Sequence, residues 1–417
     1  MAGTPLLAVG PTCSRRTRGP SVPPTPPTPP APTQPPSPAA GDAVARMMAT
    51  ETAPDEVDLS IGEPDQPLPG VLVEAAVASL RAGRTGYTPK LGLSDLRALV
   101  AEDVEAGTGF RPDPADVVIT VGGTGAVAVA LAATCAPGGA AVVPDPAWPN
   151  YRVLAGRLGI AVLPYRQGPS GDAFADLDAV EAGLRAGARL VVVNSPSNPT
   201  GAVASSAALR DVVALAREHD AFVLSDEAYE AVVFAGGRAP SPLADGGHDR
   251  TLAARTFSKT WSMTGLRVGA LVAPPALREA VAALHGTTAG CAPVTAQLVA
   301  AEALRSLPGR GAELAAVYRA RSERAVRLLG PWAPQEPVAA LGGFYLWVDA
   351  RRTGRTSAEL VAALRGHGVV TSAGTVYTAQ DGYVRLALTA PDDVLDAALA
   401  TTRRTLDALA AEAPAPR

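Results

Sequence analysis

The sequence predicts an α/β protein, with a large α/β/α layered domain built on a mostly parallel sheet and a smaller α+β domain beside it. Short β-branched runs alternate with Ala- and Leu-rich helical stretches between residues 117 and 272, a rhythm that implies crossovers between parallel strands. After about residue 315 the texture changes to long helices flanking two isolated strands. The chain has 417 residues, 47% of them hydrophobic, which is enough for a large core divided over more than one domain.

In chain order, residues 1–40 read as a disordered proline-rich tail, because the proline pairs at 23–24, 26–27, 29–30 and 35–36 force an extended conformation and build no core. Buried strands are expected at 117–121, 141–143, 190–193, 221–224 and 268–272, with helices at 125–136 and 207–219 between them. Helices at 312–329 and 391–411 enclose strands at 343–348 and 382–388. The large domain is assigned to 75–315 and the small one to 41–74 with 316–417.

Composition excludes several function classes. A net charge of −4 and only 4% aromatic residues argue against a nucleic-acid surface, which needs basic patches and stacking rings. The uncharged stretch between Asp116 and Asp145 is cut by Gly122-Gly123 and by Pro137-Gly138-Gly139, so it falls short of the roughly 20 apolar residues of a membrane span. Arg15-Arg16 is followed by prolines where a twin-arginine leader needs an apolar segment. Cys13, Cys135 and Cys291 are far apart and, like the four histidines, lack metal-ligand spacing, which points to a reducing cytoplasm and no metal site.

Of the 36 basic residues only Lys90 and Lys259 are lysines. A chain that writes arginine wherever charge alone is needed keeps lysine where a primary amine is required, since a guanidinium forms no Schiff base. Lys259 lies in Thr256-Phe257-Ser258-Lys259-Thr260, with Arg267-Val268-Gly269 downstream. Three more groups sit at strand-to-helix turns, where open sheets bind ligands. These are Val121-Gly122-Gly123-Thr124-Gly125-Ala126, Asn194-Ser195-Pro196-Ser197-Asn198-Pro199-Thr200-Gly201 and Ser225-Asp226-Glu227-Ala228-Tyr229. Taken alone, the glycine turn fits a nucleotide, another phosphate or a tight structural turn. Gly123-x-Gly125-x-x-Ala128 with Asp145 twenty residues beyond Gly125 also satisfies the dinucleotide fingerprint.

Together, an amine, a strand-end carboxylate, an asparagine, a tyrosine and a hydroxyl-rich phosphate cup are the set that holds pyridoxal phosphate. Asn-Pro-Thr-Gly, Asp-x-Ala-Tyr and Ser-Lys-x7-Arg-x-Gly in this order resemble the class I/II pyridoxal-phosphate aminotransferases of fold type I, over residues 38–410. The resemblance extends to Gly62-Glu63-Pro64-Asp65, Gly86-Tyr87-Thr88-Pro89, Pro146-Ala147-Trp148-Pro149-Asn150-Tyr151 and Tyr383-Val384-Arg385-Leu386.

That resemblance implies pyridoxal 5'-phosphate as cofactor and transfer of an amino group from an L-amino acid to a 2-oxo acid through a Lys259 Schiff base. Lys259 moves the substrate proton, Asp226 keeps the ring nitrogen protonated, and Asn198 and Tyr229 bond the ring oxygen. Trp148 stacks on the ring, while Gly123, Thr124, Thr256, Ser258 and Arg267 hold the phosphate. Tyr87 arrives from the partner of a homodimer with a shared site. Gly62 and Asn198 line the substrate position, and Arg385 grips its carboxylate, a planar two-point contact that lysine could not make. Thr124 and His285 stand where aspartate-type members carry a second cation, Leu266 replaces a common tryptophan, and Ser372-Ala373-Gly374 replaces Pro-Gly. A donor other than aspartate is therefore expected, in specialised metabolism. Elimination, replacement, cyclisation or oxidation on the same cofactor, a nicotinamide-dependent dehydrogenase and a non-catalytic effector-binding module are the alternatives.

Overall fold

The computed structural model describes residues 52–413, so the proline-rich tail and the start of the 41–74 segment lie outside the described residues. The chain begins with β1 (Val57–Asp58), α1 (Gly70–Arg81) and α2 (Ser94–Thr108). A seven-stranded sheet then forms from β2 (Val117–Thr120), β3 (Ala140–Asp145), β4 (Ala161–Arg166), β5 (Leu190–Asn194), β6 (Phe222–Asp226), β7 (Thr251–Thr256) and β8 (Gly269–Val272). Between its strands run α3 (Gly122–Thr134), α4 (Asn150–Arg157), α5 (Leu177–Arg185) and α6 (Ser206–Glu218). The rest comprises α7 (Arg278–Thr288), α8 (Val294–Ser306), α9 (Arg310–Leu329), β9 (Tyr345–Asp349), α10 (Ser357–Arg365), β10 (Val369–Val370), β11 (Ser372–Ala373), β12 (Tyr383–Ala387) and α11 (Asp392–Glu412).

The large sheet has the order β2-β8-β7-β6-β5-β3-β4, parallel except for β8, which is antiparallel to both neighbours. Alternation along the strands divides their side chains between two layers. Leu190, Val192, Leu224 and Leu252 pack on one face with α3, α4 and α7. Val191, Val193 and Val223 pack on the other with α5 and α6, and Ala253 and Ala270 with α2 and α8. This is the predicted three-layer arrangement. A second core joins α9, α10 and α11 to the antiparallel pair β9–β12, while β1 pairs with β10.

Two strands of the large sheet escaped the sequence reading. β4 contains Pro164 and lies at the sheet edge, where a missing N–H is tolerated and Pro164 and Arg166 are exposed. β7 is wholly buried but carries Arg255 in its middle. That guanidinium is satisfied by Asp103 of α2 at 2.7 Å and by Glu227 and Glu230 at 3.3 Å each. Asp103 also pairs with Arg238 at 2.5 Å. The helix placed at 125–136 begins at Gly122, inside the glycine turn.

Removing one partner of a buried ionic cluster leaves the others uncompensated, at about 3–5 kcal/mol. Arg255→Met should therefore lower the thermal midpoint of the folded protein by several degrees, with Arg255→Lys in between. A midpoint for Arg255→Met equal to the unsubstituted protein in a calorimetric scan would refute this account of the cluster.

Candidate active site

The carboxyl ends of β2, β3, β5, β6 and β7 bring every chemistry-bearing turn to one side of the sheet. There they meet Gly62 and the β9–β12 pair around a cavity of about 570 Å³. Of the sequence-predicted residues, Gly62, Gly123, Thr124, Trp148, Asn198, Asp226, Tyr229, Thr256, Ser258, Lys259, Arg267 and Arg385 all line it. Tyr87 does not. It is 99% exposed on the loop after α1, so no described residue of this chain covers it.

The glycine turn is built by close approach. Gly122 has φ +67°, and a Cβ there would lie 2.6 Å from Arg267 Nη2. Gly269, opposite both Thr120 and Thr256 in the register, has space for no Cβ, because Arg255 O would be 2.6 Å away and Gly122 C 2.7 Å. These glycines thus let three strands close around the first turn of α3. No side chain caps that helix, which leaves its N–H groups facing the Thr256 and Ser258 hydroxyls, themselves 2.9 Å apart, and Arg267. Unsatisfied N–H groups beside hydroxyls and a guanidinium form an anion cup. Arg267 itself has left-handed backbone geometry, φ 55°, and is tied to Thr264 O at 2.8 Å.

Asp226 ends β6 fully inside the protein. Burial raises its pKa to about 6, against the pull of hydrogen bonds donated by the Tyr151 hydroxyl at 2.5 Å and the Ala228 N–H at 3.2 Å. Lys259 sits in the turn after β7 and donates to Gly62 O at 2.7 Å. Burial holds its ammonium below the usual range, which favours a neutral, nucleophilic amine.

A hydrogen-bond chain connects the two halves of the cavity. Asn194 Nδ2 donates to Asp226 O at 3.0 Å, Asn198 N donates to Asn194 Oδ1 at 2.8 Å, and Arg385 Nη1 donates to Asn198 Oδ1 at 3.0 Å. With its oxygen taken by Arg385, Asn198 presents its Nδ2 donor to the cavity. Arg385 also donates to Ser60 O, while its buried Nε has no partner among the described residues. The guanidinium is therefore held in place with one donor unused.

Tyr151, Asn194, Tyr345 and Tyr377 are among the lining residues that carried no role from their sequence pattern. Tyr151, in the first turn of α4, lies three residues after Trp148, whose ring it meets edge-on at 5.3 Å, and this nearness in sequence was the available signal. Asp145, the acid of the dinucleotide fingerprint, is tied to Arg152 at 2.7 Å and does not line the cavity, which removes the main support for that reading. Among the described residues no group of His, Cys, Asp and Glu could hold a metal ion, and no helix is long and apolar enough to cross a membrane.

Comparison with known proteins gives a consistent picture. The family described as aminotransferase class I and II matches residues 54–401. The aromatic-amino-acid aminotransferase 2 of Thermococcus litoralis is 31% identical over 359 residues, covering 84% of this chain and 91% of that protein. The arginine–pyruvate transaminase of Pseudomonas aeruginosa is 31% identical over 364 residues, covering 84% and 90%. Among solved structures, the aspartate aminotransferase of Thermus thermophilus with maleate superposes with a TM-score of 0.79 at 28% identity, covering 88% of this chain and 95% of that one.

The raised pKa of Asp226 has a stability consequence in the cofactor-free protein. Its folded value lies above the unfolded one of about 4, so the folded state binds the proton more tightly and stability falls as pH rises from about 4 to about 6. Asp226→Asn removes this cost. The cofactor-free variant should melt a few degrees higher than its parent at pH 8 and nearly with it at pH 4.5, while losing cofactor affinity. Equal melting at pH 8 would show that the site does not strain this carboxylate.

Proposed function

The chain belongs to the class I and II aminotransferases and uses pyridoxal 5'-phosphate to move an amino group from an amino acid to a 2-oxo acid, and we propose that its donor is an amino acid with a neutral side chain. The observation that carries this is the set of cations in the cavity. Lys259, Arg267 and Arg385 are the lysine and arginines that line it. Each has a task already, as amine, phosphate partner and carboxylate clamp. Thr124 offers a hydroxyl where a second cation would stand, and His285 is buried in α7, outside the lining residues, with burial pushing its pKa down toward the neutral form. A second carboxylate would therefore enter without a partner charge from the described residues of this chain.

The residues present fit the cofactor. The uncapped N-terminus of α3 with Thr256, Ser258 and Arg267 suits a phosphate, and a buried carboxylate suits a ring nitrogen. When bound, the cofactor supplies an aldehyde for an amine and a ring that draws electrons from the adjacent carbon. Gly123, Thr124, Thr256, Ser258 and Arg267 bind the phosphate. Asp226, kept anionic by Tyr151 and the Ala228 N–H, holds a proton on the ring nitrogen. Asn198 Nδ2 and the Tyr229 hydroxyl orient the ring oxygen, and Trp148 covers the ring face. Arg385 fixes the substrate carboxylate beside Gly62, and the Lys259 amine takes and returns the proton at the substrate α-carbon.

The same reading divides the chain at 75–315 and at 41–74 with 316–417. The seven strands between 117 and 272 and the pairing of β1 with β10 support that division. It also makes the active unit a homodimer in the cytoplasm. Val73 and Leu80, seven residues apart on one side of α1, are exposed, as is Tyr87 on the loop that follows, which suits contact with a second copy, and the free Cys135 and Cys291 agree with a reducing compartment.

The reconstituted protein should show a visible cofactor band that is absent in Lys259→Ala. Neutral amino acids should bleach it at least about tenfold more efficiently than aspartate, a difference of about 1.4 kcal/mol. Aspartate as efficient as the best neutral donor would overturn the specificity assignment. A lasting long-wavelength band in place of bleaching would mean another outcome of α-proton removal. Mixing two impaired proteins, Tyr87→Ala and Lys259→Ala, tests the shared site. Hybrid dimers contain one site with both residues intact, so activity should rise above that of either protein alone. No gain after subunit exchange would refute the contribution of Tyr87 across the dimer.

A further inference from the structure

Arg385 is enclosed between two tyrosine rings. Its guanidinium carbon lies 4.1 Å from the Tyr345 ring centroid and 4.7 Å from that of Tyr377. Antiparallel pairing of Trp347 with Arg385 and of Tyr345 with Ala387 places Tyr345 diagonally beside Arg385 on one face of the β9–β12 pair. The Tyr345 hydroxyl stands 3.2 Å from the Tyr229 hydroxyl. It also fills the space beside Gly62, where a Cβ would fall 1.6 Å from it. Gly62 in turn receives the Lys259 amine. One phenol thus contacts the carboxylate clamp, the ring-oxygen donor and the wall that the lysine leans on.

A phenol has one proton. Here the Tyr229 hydroxyl donates to that of Tyr345; once Tyr229 turns its proton to the cofactor ring oxygen, its own oxygen is free only to accept, and Tyr345 is the neighbour placed to donate. Accepting that bond polarises the Tyr229 O–H and strengthens its outward donation. The ring faces offer the guanidinium a cation–π platform that leaves the remaining N–H groups at its edge for a carboxylate.

We propose that Tyr345 is a positioning residue with two separable tasks: its hydroxyl donates to Tyr229 and so directs the Tyr229 proton to the cofactor, and its ring holds Arg385 flat for the substrate carboxylate. The proposal rests on the aminotransferase reading above and adds a residue to that site. Phe and Leu at position 345 separate the tasks, because Phe keeps the ring and volume and removes only the hydroxyl.

The experiment is a pH titration of the visible band of each cofactor-loaded, resting protein, followed by spectral titration with 2-methylalanine, which has the carboxylate and amine but no α-hydrogen. Tyr345→Phe should raise the pKa of the band by about half a pH unit or more, since the ring-oxygen donor is weakened, and bind 2-methylalanine within about twofold of the parent. Tyr345→Leu should show the same spectral shift together with about tenfold weaker binding. If the unsubstituted protein takes up the cofactor but both variants titrate and bind as it does, the proposal fails and the aminotransferase reading stands. An unsubstituted protein that acquires no visible band overturns that reading, and this proposal with it.

Discussion

The site depends on keeping the Asp226 carboxylate inside the protein. At the end of a central strand it is almost wholly buried, so its charge is held by what surrounds it: the Tyr151 hydroxyl, the Ala228 N–H and the Lys259 amine nearby. Tyr151 must come from α4 and Lys259 from the turn after β7, which requires β3, β6 and β7 to end on the same side. A parallel sheet provides that alignment, and its crossover helices hide both faces from solvent. The arrangement is destabilising in the empty protein, which is the expected price of a group poised for chemistry.

Directly beneath this layer lies a second buried charge cluster, centred on Arg255. Glu227 follows Asp226 in sequence, and Arg255 precedes Thr256, so the two strand ends that carry the carboxylate and the phosphate hydroxyls are tied together one residue below the cavity floor. Glu227 is held further by the Ser225 hydroxyl at 3.1 Å and the Ser241 hydroxyl at 2.5 Å. Asp103 extends the tie to α2, the helix that flanks the β2 edge. Rigidity of this kind is what a site needs when a proton must be handed over within a few tenths of an ångström.

Much of this was legible in the residues. Lys259 stood out because lysine is nearly absent from the chain, and Asp226 and Asn198 because their motifs close strands, whereas Arg385, inside β12, was legible only through the family resemblance. What was hidden has a common physical cause, in that contact rather than spacing defines it. Tyr345 lies within a hydrophobic strand pattern that gives no sign of its hydroxyl meeting Tyr229 from more than a hundred residues away. Asn194 looks like the first residue of a turn until its amide is seen bridging β5 and β6. β7 failed the apolar pattern because an arginine in a buried strand reads as exposure, and only the three carboxylates around it explain its burial.

The chain of hydrogen bonds from Asp226 through Asn194 and Asn198 to Arg385 has an evolutionary consequence. Asn198 meets Asn194 through its backbone N–H and Arg385 through its side-chain oxygen, so a replacement there keeps the first bond but loses the second unless it carries an acceptor of the same reach. Ile61, Trp148 and Thr264 also face the cavity but stand outside this chain. Ile61 and Thr264 are thus the places where new donor preferences can arise by single substitutions. A lineage built on this scaffold can change what it accepts while the machinery that acts on it stays fixed.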